Sequence, residues 1–228
     1  MYINFAHDLA QDQLDSIRTY VHEMERINTF RLEELSRTAE IDAKKLKEEE
    51  RDEYFNNKRG DLNKREKTFS SLLRYSIVIS VYSTIEQFLF RIVKPHMVES
   101  LGYKGILELN PKIDYELKKL QKFGYKGIML KKLGMYMNNK MEIQFPFENK
   151  EWIFIKDLNI LRNNIVHCNG RIYDDRDFEK VKKVIESYSS VTCSSSNELI
   201  LEQEFILYMI NQTEIFLSSL LKSANKRK

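Results

Sequence analysis

Three residues in one short stretch could do chemistry together. In "NILRNNIVHCNG", residues 159–170, Arg162 is followed at once by Asn163 and five positions on by His167. Arginine presents a planar, permanently charged fork that matches a phosphate. Histidine has an unperturbed pKa of about 6.5 and can take or give a proton near neutrality. In RNA the attacking group can be the adjacent 2′-hydroxyl. Cleavage of such a phosphodiester needs a proton acceptor, a proton donor and a charge clamp, and no metal. One chain supplies one Arg and one His here. Two chains meeting about a two-fold axis would supply two of each.

Spacing alone does not single out this pair. "RIVKPH" places Arg91 five residues before His96, so the chain carries the same interval twice. Context separates them. Arg91 and His96 straddle Pro95, which predicts that they do not share a helix. Arg162 and His167 lie among amides in one predicted helix, just ahead of Gly170. A plainer reading stands beside the catalytic one. A histidine at a helix end favours the negative pole of the dipole, and Arg162 could pair with Glu86 or another acid.

The elements around the pair follow from periodicity. A helix is predicted from about Asn149 to a stop at Gly170. Phe154, Leu158, Leu161 and Ile165 form its buried stripe. Lys156, Asn159, Asn163 and His167 form a polar one, with Arg162 beside it. A second long helix is predicted from Thr68 to Lys94, ended by Pro95 and apolar on most sides, as in the centre of a bundle. Tyr82 and Glu86 sit one turn apart on it. Residues 8–56 read as nearly continuous helix. There Glu40–Lys44, Lys44–Glu48 and Lys45–Glu49 are available as surface pairs, and the stop falls at Asn56, Asn57 and Gly60. Two further helices are expected at about 174–190 and 197–223, divided by a Ser-rich break.

Residues 100–148 are less regular. "GYKGI" occurs at 102–106 and again at 124–128, each copy reading as a turn. Eight lysines lie between 112 and 140, against Asp114 and Glu116 only. Lys118, Lys119, Lys122, Lys126, Lys131 and Lys132, with Phe123 and Tyr125 interleaved, could guide RNA by charge and stacking. Ordinary packing of those aromatics and a solvated helix face are the plainer alternatives.

Composition sets the outer bounds. The chain has 228 residues, 42% of them apolar and 31% charged, with seven Gly and three Pro. Few breakers with many Lys, Glu and Leu predict an all-α fold of long helices. The division expected is an N-terminal helical arm, 1–66, and a bundle, 67–228, carrying the insertion 100–148. Cys168 and Cys193 fit no paired motif, which suits a reduced, cytoplasmic protein. The four histidines are scattered, so neither a metal site nor a cofactor is expected. "MYINFAHDLAQDQ" has no basic start followed by an apolar run, so no leader is expected. "YSIVISVYSTIEQFLFRIV" is broken by polar residues, so no membrane association is expected either.

The segment "EWIFIKDLNILRNNIVHCNGRI", 151–172, resembles the signature helix of the HEPN superfamily. Its members carry Arg-x4–6-His, often with Asn directly after the Arg, at the end of a bundle helix. Arg162, Asn163 and His167 match that pattern. "VYSTIEQFLFRIVK", 81–94, resembles an earlier core helix of the superfamily, with Tyr82 and Glu86 at its aromatic and acidic places. The likeness covers about residues 67–222 and is strongest over 151–172. It implies an up-and-down helical bundle and a homodimeric, metal-independent endoribonuclease, similar to toxins of toxin–antitoxin pairs and to anti-phage defence effectors. Arg162 would then hold the scissile phosphate, and His167 would act as general base or acid. Asn163 would orient the imidazole or bind the phosphate, and Glu86 would steady Arg162. An antitoxin or defence-system partner would fit the N-terminal arm. A non-catalytic module of the same fold, binding RNA, nucleotide or a partner protein, is the alternative.

Overall fold

The computed structural model describes residues 2–119, 128–173 and 178–226. It is all-α apart from one small hairpin. The elements are α1 (Tyr2–Ala43), α2 (Glu48–Asn63), a π-helical segment (Lys64–Phe69), α3 (Ser70–Leu101) and α4 (Ile106–Leu109). A 3-10 turn (Asn110–Lys112) leads into α5 (Ile113–Lys119). Then come α6 (Met129–Lys140), α7 (Lys150–Cys168), α8 (Phe178–Ser187), β1 (Val191–Cys193), β2 (Leu199–Leu201) and α9 (Gln203–Asn225).

Several boundaries differ from the sequence reading, each for a local reason. The first helix breaks at 44–47. There Lys45 N–H turns back to Asp42 O and Leu46 N–H to Ala43 O, both at 3.1 Å. The Arg51 guanidinium caps the freed carbonyls of Ala43 and Leu46. The break puts the predicted Lys44–Glu48 and Lys45–Glu49 pairs out of helical register, and Lys45 pairs with Asp42 at 2.8 Å instead. Asn56, Asn57 and Gly60 do not stop the second helix. It continues to Asn63, and the π-helical segment carries it into α3.

Pro95 does not end α3 either, which runs on to Leu101. An internal proline removes one backbone bond and costs about 3 kcal/mol. Val93 and Met97, buried on either side of it, are held by packing that exceeds that cost. Arg91 and His96 therefore share one helix after all.

Contacts divide the chain into two compact units. One holds 1–15, 80–159 and 208–228; the other holds 16–79 and 160–207. This grouping runs differently from a split at residue 66. The N-terminal stretch contributes core to each unit, with Ala6, Ala10 and Leu14 buried in the first and Val21 and Glu25 in the second.

The first unit is built on the apolar run of α3. Val81, Ile85, Phe88, Leu89 and Val93 are buried along it. Phe145 meets Trp152 edge-on at 5.1 Å between centroids and Phe216 at 5.6 Å. Gly134 is what admits that cluster, because a Cβ there would lie 2.8 Å from the Phe145 ring. His7 Nε2 lies 3.4 Å from Ser218 Oγ, on the same helix as Phe216, and Gln11 donates to Glu214 at 3.0 Å. The apolar segment Glu66–Leu101 is long enough to cross a membrane by composition, and 56% of its most apolar window is buried within the fold.

The second unit contains a hairpin where the sequence reading places a Ser-rich break and the start of the helix expected at 197–223; that helix begins only at Gln203. Val191, Thr192 and Cys193 pair with Leu201, Ile200 and Leu199. Ser194–Asn197 make the turn, with Asn197 at φ 59°. Asparagine is among the residues that tolerate this left-handed conformation. Val191, Leu199 and Leu201 point into the core. An ion pair supports the same region. Arg74 Nε donates to Glu25 Oε1 at 2.7 Å and Arg74 Nη1 to the Leu201 carbonyl at 2.8 Å. Both side chains are largely shielded, at 14% and 10% exposure. Removing Glu25 leaves Arg74 with the Leu201 carbonyl and a longer contact to Glu202 at 3.4 Å. Glu25→Ala is expected to cost about 2–3 kcal/mol, and the double change Glu25→Leu/Arg74→Met less than that. Urea unfolding of the three chains checks this; a single change that costs no more than the double one would refute it.

Candidate functional site

Helix α7 forms where an apolar stripe recurs with helical spacing. Phe154, Leu158, Leu161 and Ile165 are all buried, as that spacing requires. Of the candidate residues, Arg162 flanks that stripe beside Leu161, while Asn163 and His167 lie on the side away from it. Arg162 and Asn163 are half-buried and His167 is exposed in the last turn. All three belong to the second unit. Arg162 Nη1 donates to Asn163 Oδ1 at 3.1 Å. Asn163, expected to orient the imidazole or bind the phosphate, thus has its amide oxygen engaged by the guanidinium. This contact fixes the direction of the arginine fork.

The end of α7 is held with unusual thoroughness. Asn169 (φ 51°) and Gly170 (φ 77°) are both left-handed and turn the chain sharply out of the helix. Arg171 N–H closes the turn on Cys168 O at 3.0 Å. Asn164 Nδ2 reaches forward to the Arg171 carbonyl at 2.9 Å. Leu199 N–H donates to Gly170 O, and Ile172 N–H to Asn197 O, both at 2.8 Å. Residue 171 also bridges Glu198. The emerging chain therefore docks along the hairpin edge as if it were a third strand.

Tyr75 closes this arrangement. Its hydroxyl donates to the Leu199 carbonyl, and its ring lies where a Gly170 Cβ would be. Burial, and secondarily the charges of Glu198 and Cys193, push the Tyr75 phenol up to about 12 from 10.0. Its folded-state value lies above the unfolded one. The stabilisation is therefore complete below pH 10.0 and is lost as pH rises through about 12. Tyrosinate absorbance should show a late-ionising phenol that is lost in Tyr75→Phe, titrating together with the unfolding transition. Early ionisation of every tyrosine in the folded chain would contradict the clamp.

Tyr82 and Glu86 lie in the first unit. Tyr82 is buried, and its hydroxyl donates to Asn159 Oδ1 at 2.7 Å, so it meets the polar stripe of α7 within that unit. Glu86 is half-buried one turn further along α3. The other Arg–His pair is also in the first unit. There His96 Nδ1 lies 3.1 Å from Tyr136 Oη, which lies 3.1 Å from Ser100 Oγ. Those contacts tie His96 into a structural cluster.

The basic segment is only partly described. Lys118 and Lys119 end α5, both exposed. Lys119 pairs with Glu116 at 3.0 Å and covers the Tyr115 ring at 4.3 Å. Lys131 is exposed and Lys132 half-buried in the first turn of α6. Lys122 and Lys126, Phe123 and Tyr125, and nearly all of the second "GYKGI" lie outside the described residues. Among the described residues, no three His, Cys, Asp or Glu side chains gather as a metal cluster.

Sequence reasoning singled out Arg162, Asn163 and His167 as candidates and passed over Tyr75, Asn164 and the hairpin. Tyr75 and Leu199 are 124 residues apart, so no local pattern links them. The hairpin did leave a signal: "SVTC" and "ELIL" flank a Ser/Asn turn. Comparison of the chain with models of protein families, with curated proteins and with solved structures returns no match.

Proposed function

We propose that the chain is a metal-independent endoribonuclease that cleaves RNA through attack of the 2′-hydroxyl on the neighbouring phosphate. The observation that carries this reading is the pairing of Arg162 with Asn163 on the helix whose last turn carries the exposed His167. Arg162 clamps a non-bridging phosphate oxygen and stabilises the charge that develops there. Asn163 holds the guanidinium in line. His167 removes the proton from the 2′-hydroxyl, or protonates the leaving 5′-oxygen. The two proton transfers need two groups, which a second copy of the chain supplies in a symmetric dimer. The products are a 2′,3′-cyclic phosphate and a 5′-hydroxyl end. The resemblance to HEPN ribonucleases supports the same chemistry, and with it a cytoplasmic toxin or defence effector restrained by a partner. Exposed Lys118 and Lys131 suit a guiding role for the RNA backbone.

The test is incubation of total RNA with the purified chain in EDTA, followed by end-group analysis. Discrete fragments ending in cyclic phosphate support the reading. A folded dimer that leaves every RNA intact would place the chain with the non-catalytic binding modules instead.

A further inference from the structure

We propose that Arg171 and Tyr173 form a nucleotide subsite beside His167, where the Tyr173 ring stacks on an unpaired base and Arg171 holds an adjoining phosphate. The inference rests on the ribonuclease reading and adds a substrate feature to it: single-stranded RNA with a free base next to the cleaved bond.

The two residues share one outward face. The chain leaving Gly170 runs extended along the hairpin edge, pinned by Ile172 N–H to Asn197 O and by the bridge between 171 and Glu198. Side chains alternate in such a segment. Ile172 is 5% exposed and turns inward, while Arg171 is exposed and Tyr173 is 51% exposed. Two residues at a rise of about 3.3 Å each set their Cα atoms about 6.6 Å apart, a span suited to a base and its neighbouring phosphate. An aromatic face with a guanidinium alongside is the common platform for single-stranded nucleic acid, because every base has a π-face.

The subsite is tied to the catalytic helix by a specific bond. Asn164 Nδ2 holds the Arg171 carbonyl at 2.9 Å. Asn164 and His167 are three residues apart on α7 and so are surface neighbours, with Cβ atoms about 5–6 Å apart. The Arg171 carbonyl is thereby bonded to a side chain one helical turn from His167. The left-handed Asn169 and Gly170 turn the chain out of the helix, and the bonds of Gly170 O and Ile172 N–H to the hairpin hold it there.

The experiment measures binding of a short 2′-O-methyl RNA, which cannot be cleaved, carrying 2-aminopurine as reporter. Wild type, Tyr173→Ala, Tyr173→Phe and Arg171→Ala are compared over a salt series, with the total-RNA cleavage assay run beside them. Tyr173→Ala should weaken binding about 5- to 100-fold and lose the quenching of 2-aminopurine, while Tyr173→Phe stays within about twofold. Arg171→Ala should lower the salt slope by about one. Wild-type affinity and quenching in Tyr173→Ala, from a chain that still cleaves RNA, overturns the subsite and leaves the ribonuclease standing. So does equal loss in the Phe and Ala variants. A wild-type chain that neither cleaves RNA nor binds the probe removes both.

Discussion

His167→Ala is expected to lower RNA cleavage at least about 100-fold, because a positioned general acid or base is worth about 10²–10⁴ in rate. Arg162→Ala should lose a similar factor, since one preorganised charge contact to a transition state is worth about 10²–10³. Neither change should unfold the chain. His167 is exposed, and Arg162 is half-buried beside the buried stripe of α7, which is itself untouched. Thermal midpoints near wild type, with cleavage gone, are the expected pair of readings. Arg91→Ala supplies the matched comparison, because the partner histidine of Arg91 is engaged with Tyr136. Wild-type cleavage in either α7 variant would remove the catalytic assignment. Lost cleavage in a folded Arg91→Ala would transfer it to the other pair.

Gly170→Ala should be the most damaging single methyl in the described fold. A Cβ at 170 would overlap the Tyr75 hydroxyl and ring, on a backbone at φ 77° that side chains rarely adopt. The ring cannot yield cheaply. Tyr75 is 8% exposed, and its hydroxyl is bonded to the Leu199 carbonyl. Strain and overpacking together should cost about 3–5 kcal/mol. Gly60→Ala is the control. It sits within α2 with nothing within 4 Å of its Cβ position, so alanine should stabilise the helix by about 1 kcal/mol. Denaturant midpoints that move in these opposite directions confirm the packing at the end of α7. A Gly170→Ala chain as stable as wild type would show that the turn is looser than its geometry indicates.

What was legible in the sequence is what local spacing encodes. The buried stripe of α7 follows from the interval between Phe154, Leu158, Leu161 and Ile165, and the stop at Gly170 from the glycine itself. The absence of many breakers was enough for the all-α class. The failures came where tertiary packing overrode a local rule. Pro95 should end a helix, yet Val93 and Met97 anchor both sides of it. Gly60 should stop one, yet the helix passes through it. The opposite failure occurred at 44–47, where continuous helical composition hid a break that Arg51 stabilises from outside the helix. At the site, residue type and spacing pointed to Arg162 and His167. The residues that hold them in place were illegible because their contacts are long-range. Tyr75 reads as one more aromatic on an apolar helix until Leu199 and Gly170 are beside it.

The dependence of the α7 turn on the hairpin has a consequence for synthesis. The chain emerges from its N-terminus, so Arg162 and His167 leave the ribosome before Leu199 does. Until β2 is made, Gly170 O has no Leu199 N–H to receive and the Tyr75 hydroxyl has no Leu199 carbonyl to hold. A nascent chain would carry Arg162 and His167 before the turn that follows them is latched. The end of α7 therefore reaches its closed form only late in translation.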